Sequence, residues 1–340
     1  MDTKLLETLH QLAPDLMDKV MLRVMVLERI AALAPVGRRA LAQRLHLPER
    51  EIRSICEALR EDGLISTAAS GMMPTRKAEA LLVPAREISR RKNALTQMEQ
   101  HISRALGVGR VCIVPGSAQE SDQVMREAGR VISEQLLRLL ADGMVLTVSG
   151  GETMAAAARE ISVSAPVKVR VLPARGGWGM RMETQATSVA AEFARALGGS
   201  YSLLHLPDGI PAETLRELMH LEDVAELMRW LQQTDVLLYG IGRACDMPHK
   251  RSMPQSEISY LRSCGAVGEA VGCCFDADGR AVYQTGGIGL SAEQLSQVRC
   301  VAAAAMGAGK AGAVLAVLRH HRHELLVLDE SAARALEGLL

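Results

Sequence analysis

From residue 110 onward the chain alternates short apolar runs with helix-period segments, and no other feature limits its fold as severely. The runs lie at 110–114, 144–148, 167–172, 200–206, 235–241, 269–275, 298–304 and 325–328. They are continuously apolar, as strands buried on both faces are, and helical segments separate most of them. An α/β fold follows, built on a largely parallel sheet with helices on both faces. Ligands in such sheets bind at the carboxyl ends of the strands.

Composition supports this reading. Hydrophobic residues make up 48% of the 340, yet only eight are aromatic, so the core is aliphatic. A chain of this length predicts two domains, and its apolar content excludes wholesale disorder. No stretch reaches the roughly 18 to 20 apolar residues of a membrane helix, and the start Met1-Asp2-Thr3-Lys4-Leu5 lacks the order of a signal peptide. We expect a cytoplasmic protein with no membrane association. The seven cysteines form no CxxC pair. Neither a disulfide framework nor a zinc site is indicated, no other cofactor is implied, and the thiols are expected to be buried as small apolar groups.

The first hundred residues follow another pattern. Leu16, Val20, Val24, Leu27 and Ala31 recur at helical spacing until Pro35 and Gly37. A short helix at 38–45 is followed by the turn His46-Leu47-Pro48, and a third helix buries Ile52, Ile55 and Leu59 until Gly63 stops it. Two short strands joined by Ala69-Ser70-Gly71 complete the order of a winged helix-turn-helix. Lysine plus arginine equals aspartate plus glutamate at 39 each, but residues 29–60 carry seven arginines against Glu49, Glu51 and Glu57. Such a local basic patch suits phosphate backbones. Arg38, Arg39, Arg50, Arg53, Ser54 and Glu57 are therefore the candidate DNA-facing residues. We place this domain at 1–83, a connector helix at 84–106 and a ligand-binding domain at 107–340. The connector carries Ile88, Leu95, Met98, Ile102 and Leu106 on one stripe, which packs on its own chain or on a second subunit.

Glycine and positive charge collect after four strands, in Ser149-Gly150-Gly151-Glu152-Thr153, Pro173-Ala174-Arg175-Gly176-Gly177, Gly240-Ile241-Gly242-Arg243 and Gly307-Ala308-Gly309-Lys310. Glycines let backbone N–H groups approach an anion, and Arg175 and Lys310 add charge. None of the four is a GxxxxGK[ST] phosphate loop, and no GxGxxG opens a helix after the first strand, which argues against nucleotide hydrolysis and dinucleotide chemistry.

Together with Gln185, Gly268-Glu269-Ala270-Val271-Gly272 and the amino-terminal motif, these loops resemble the SorC family of sugar-responsive bacterial regulators over essentially the whole chain. The resemblance implies a DNA-binding repressor whose larger domain is Rossmann-like, with the fold of sugar-phosphate isomerases. It implies operator DNA and a phosphorylated sugar as partners, fructose 1,6-bisphosphate in the branch that controls central glycolytic genes, and assembly into homodimers or homotetramers. Carried over by position, it puts one phosphate on Gly150, Gly151, Glu152 and Thr153 with Lys310 nearby, and gives the rest of the sugar to Arg175, Gln185, Lys250 or Arg251, and Glu269. Cations suit phosphates, and Gln and Glu suit sugar hydroxyls. A carboxylate repels a phosphate, so Glu152 should point away or take a hydroxyl. An isomerase would use the same rim with Glu269 as base, but no second acid is evident and no residue is assigned a catalytic role. An adaptor that only oligomerises would leave the glycines and cations unexplained.

Overall fold

The computed structural model describes residues 13–68, 70–177, 181–202, 206, 210, 212–247, 253 and 255–340, with backbone alone at 14, 17, 83, 84, 86–93, 212 and 215. Among these, no helix is long and apolar enough to cross a membrane. The chain divides into two compact units between Thr96 and Gln97.

The first unit opens with α1 (Pro14–Leu33), α2 (Arg38–Leu45) and α3 (Glu49–Glu61), followed by the antiparallel pair β1 (Ile65–Ala68) and β2 (Gly71–Pro74). Its core is Val26, Leu27, Ile30, Leu41, Ile52, Cys56, Leu59, Ile65 and Met72. His46 takes the left-handed conformation (φ 52°) that ends α2, and the turn into α3 follows at once. Val36 and Met72 exchange two backbone hydrogen bonds, which adds a third segment to the wing. A Cβ on Gly71 would come within 2.8 Å of the Val36 backbone, so only glycine fits at φ +131°.

The connector helix corrects one expectation. Rather than starting after Pro84, α4 runs from Arg76 to Leu106. Thr75 is its cap, its Oγ1 accepting from the Ala78 N–H at 3.3 Å, and one missing N–H at position 84 does not end a helix held on both sides.

The second unit holds a seven-stranded parallel sheet in the order β3-β13-β12-β7-β4-β5-β6. Its strands are β3 (Arg110–Val114), β4 (Val145–Val148), β5 (Arg170–Pro173), β6 (Ser200–Tyr201), β7 (Val236–Gly240), β12 (Cys300–Ala305) and β13 (Leu325–Asp329). Helices α5 (Asp122–Leu137), α6 (Glu152–Glu160), α7 (Ala186–Leu197), α8 (Ala212–Leu218), α9 (Glu222–Gln232), α10 (Gln255–Ser263), α11 (Ala292–Gln297), α12 (Ala311–His320) and α13 (Glu330–Glu337) complete it. Strands β4, β5 and β6 step toward one edge, after which β7 returns to the other side of β4 and reverses the order there. Edge strand β3 is covered, because Glu99 accepts the Ile113 N–H at 2.7 Å.

Residues 269–275 are not one parallel strand. Val271 (φ 48°) and Gly272 (φ 82°) both turn left-handed and fold the run into the hairpin β9 (Gly268–Ala270) and β10 (Cys273–Phe275). Two consecutive residues with positive φ make the tight turn that matches strand twist. With β8 (Gly242–Arg243) and β11 (Ala281–Gln284) the hairpin forms a separate antiparallel sheet, β11-β10-β9-β8.

Candidate functional site

Because all seven strands run parallel, the loops after β4, β5, β7 and β12 leave one edge of the sheet, and the reversal between β4 and β7 lies among them. That is the topological switch point, where α/β sheets bind ligands. Ser149 joins the two strands there: its N–H donates to Leu238 O at 3.0 Å, and its Oγ accepts from the Gly240 N–H at 3.1 Å.

Gly151 (φ 110°) caps α6, and its N–H donates to Thr184 O at 2.8 Å. A Cβ on Gly150 would lie 2.5 Å from the same oxygen, so the loop and the segment before α7 require a bare backbone between them. Thr153 is buried in the first turn of α6. Glu152 is exposed and accepts from Arg181 Nη1 at 2.8 Å. Gln185 caps α7, with its Oε1 2.9 Å from where a Cβ on Gly177 would sit.

Arg175 is only 4% exposed. Its guanidinium donates to the carbonyls of Val271 (2.9 Å), Thr285 (3.0 Å) and Gly286 (3.3 Å), tying the end of β5 to the hairpin turn. Glu269 is buried on β9 and accepts the Gly272 N–H at 2.7 Å. A ligand that engages either group must compete with these bonds. Lys310 ends the short helical turn Ala308–Lys310 and opens α12. Lys250 and Arg251 lie outside the described residues.

Three features of the rim carried no assignment in the sequence. Arg243 is held by Asp246 through two hydrogen bonds, Nε to Oδ2 at 3.0 Å and Nη2 to Oδ1 at 2.7 Å. Its Nη1 lies 3.4 Å from the position of a Cβ on Gly309. Asp329, fully buried at the end of β13, accepts from the N–H groups of Ala118 (2.8 Å), Gly307 (2.9 Å) and Ala332 (2.9 Å). It thereby fixes the loops after β3 and β12 to the start of α13. The Gln119 side chain lies over Gly307, 2.7 Å from its Cβ position. Arg243 was legible as a cation in a glycine loop, whereas the acceptor role of Asp329 depends on contacts across more than two hundred residues.

In the first unit, Arg38, Arg39, Arg50, Arg53 and Ser54 are exposed, and Glu57 is partly so. Arg53 donates to Glu57 at 3.0 Å, which lowers the Glu57 pKa, and Arg39 pairs with Glu49 at 3.6 Å. Arg50, Arg53 and Ser54 lie away from the buried Ile52, Cys56 and Leu59. Not every cysteine is buried as expected: Cys245 is exposed, since it lies on the short turn Ala244–Asp246 at the rim rather than in a strand. Among the described residues no group of three metal-binding side chains occurs.

Comparison with known proteins agrees with both halves. The sugar-binding domain model (Sugar-bind) matches residues 90–336, and the model of the CggR N-terminal DNA binding domain matches residues 20–88. The chain is 32% identical over 334 residues to the central glycolytic genes regulator of Priestia megaterium, covering 98% of each. A SorC family transcriptional regulator from Enterococcus faecalis superposes with a TM-score of 0.66 at 31% identity, over 71% of this chain and 99% of that one. The full-length sorbitol operon regulator SorC from Klebsiella pneumoniae shares the fold, with a TM-score of 0.67 at 17% identity over 94% of this chain and 98% of that one. A DNA-binding head joined to a sugar-binding α/β domain defines a sugar-responsive transcriptional regulator, and the chain belongs to the SorC family of such regulators.

Proposed function

We propose that this chain represses central glycolytic genes and that a phosphorylated sugar, fructose 1,6-bisphosphate, sets its affinity for operator DNA. The observation that carries the reading is the β4/β7 reversal, where the glycine loops after β4 and β7 leave one edge of the sheet, in a chain that also presents Arg50 and Arg53 on an exposed helix face. Similarity to a central glycolytic genes regulator along 98% of both chains supports the choice of genes. The effector-contacting set is Gly150 to Thr153, Arg175, Gln185, Glu269 and Lys310, with Lys250 or Arg251. The working form is a homodimer or homotetramer in the cytoplasm, and residues 1–83, 84–106 and 107–340 act as head, connector and effector domain.

The mechanism is linkage: a ligand that binds one arrangement of the protein more tightly than another shifts the DNA affinity by the same free energy. The chain is not an enzyme on this reading. Glu269 already accepts a backbone N–H, as a fixed acceptor for a sugar hydroxyl would.

A thermal-shift panel of sugar mono- and bisphosphates tests this. The true effector at 100 times its dissociation constant should add about 2.7 kcal/mol of stability, and the same compound should change the affinity for DNA upstream of glycolytic genes. If no sugar phosphate alters either quantity, the reading fails.

A further inference from the structure

Arg243, a cation of the rim that the family resemblance does not assign, has the geometry of a prepared anion contact. We propose that Arg243 is a phosphate-contacting residue of the effector site, held in place by Asp246. The inference rests on the reading above that the rim takes a sugar phosphate.

Three observations carry it. Arg243 is the first charged residue beyond the carboxyl end of β7, and its neighbour Gly242 pairs with Glu269 across the small sheet, so it stands beside the assigned site rather than on a remote face. Asp246 occupies the Nε/Nη2 edge of the guanidinium with two bonds. A flexible side chain is thereby restricted before any ligand arrives, which lowers the ordering cost of binding. The remaining nitrogen, Nη1, has no hydrogen-bond partner among the described residues and lies 3.4 Å from the Cβ position of Gly309, the residue before Lys310. Glycine at 309 places no side chain over that nitrogen. One planar cation with a pinned edge and an open edge, next to a second cation on a glycine loop, suits a phosphate, whose oxygens accept from both.

The pairing with Asp246 does not cancel the effect. The carboxylate is bound on one edge, and a guanidinium has five donors to distribute. The pair is also partly exposed, so it contributes little to stability and its variants should fold.

Titration calorimetry on the full chain decides the matter, comparing the parent with Arg243→Ala, Arg243→Lys and Asp246→Asn against fructose 1,6-bisphosphate, fructose 6-phosphate and inorganic phosphate at fixed salt. Arg243→Ala should weaken at least one of the sugar phosphates by about 10- to 100-fold, the range for losing a hydrogen bond to a charged group. Arg243→Lys should recover part of that loss. Asp246→Asn, which keeps the cation but loosens it, should fall between parent and Arg243→Ala. Binding by Arg243→Ala and Arg243→Lys within about twofold of the parent, less than a net hydrogen bond contributes, overturns the contact and leaves the proposed function standing. Parent-like binding by Asp246→Asn overturns the positioning role. A parent that binds neither sugar phosphate overturns both this inference and the function on which it rests.

Discussion

In the unit that ends at Thr96, the charged groups assigned to DNA stand in solvent on two short helices and find partners nearby, Arg53 with Glu57 and Arg39 with Glu49. In the unit that begins at Gln97, the polar groups of the site are buried and bonded across the chain: Arg175 to carbonyls about a hundred residues away, Asp329 to an N–H group 211 residues away. The same chemical types thus do opposite things. An exposed, locally paired arginine is available to a partner and contributes little to folding. A buried, fully bonded carboxylate or guanidinium contributes to the fold through its bonds, and a ligand must exchange with them. The head should therefore tolerate loss of its functional charges, and the effector unit should not.

The largest test of that contrast is acid. His321 and His323 lie ahead of β13, His323 with its Nε2 2.6 Å from the Tyr239 hydroxyl. Burial, with neighbouring histidines adding to it, lowers the His321 pKa to about 3; burial chiefly lowers that of His323 to about 4. The unfolded chain keeps values near 6.5. Above that pH neither state binds these protons and the stability is complete. As the pH falls below 6.5 the unfolded chain takes up protons that the folded one refuses, so stability is lost through the window down to the folded values. At pH 5 the loss is about 2 kcal/mol for each imidazole relative to pH 7.5. Trp230 lies in the second unit and the first 96 residues contain no tryptophan, so urea unfolding followed by tryptophan fluorescence reports that unit. Equal midpoints at pH 7.5 and pH 5 would show that these imidazoles are not held neutral.

A smaller loss is expected from Asp329→Ala. Three backbone N–H groups, of Ala118, Gly307 and Ala332, lose their acceptor in a buried setting. Unsatisfied buried donors cost about 1 to 3 kcal/mol each, and with partial relaxation we expect about 3 kcal/mol in the same fluorescence-detected unfolding. A change below 1 kcal/mol would mean that the loops at the rim do not depend on this carboxylate.

The contrast also explains what could be read from the sequence. The parallel sheet was legible because buried strands are continuously apolar, and the wing because Gly71 and the short turn at His46 are local signals. Other features depend on partners distant in sequence. Glu269–Phe275 reads as one strand until Val271 and Gly272 reverse it, and nothing in the apolar run marks that turn beyond one glycine. In α1 the expected stripe holds only at its carboxyl end: Leu27 is buried and Ala31 packs on the core, but Leu16 is 54% exposed and Val20 is exposed, while Val26 and Ile30, outside the stripe, are buried. Apolar residues occur on more than one side of that helix, and spacing alone does not select between them. At the site, cations and glycines mark the rim, but which cation faces a ligand is decided by bonds such as those of Arg175 and Arg243.

The smallest effect on folding should come from Arg53→Ala, and here the comparison is sharpest. Arg53 stands on α3 away from the core and pairs with Glu57, one turn on, with both side chains well exposed. Such pairs contribute about 0.3 to 0.5 kcal/mol, so the stability should move by no more than about 0.5 kcal/mol. Operator binding should respond more strongly. If Arg53 reads a base edge, its loss costs about 1 to 3 kcal/mol of affinity and relaxes the preference at one position. A phosphate contact instead weakens all sequences alike and reduces the salt slope by about one. Gel-shift titrations at several salt concentrations, set beside urea unfolding of the same variant followed by circular dichroism of the helical first unit, separate these outcomes. Unchanged operator affinity would remove α3 from the DNA interface, and a stability loss as large as that of Asp329→Ala would show that the charges of the head are built into its fold as those of the effector unit are.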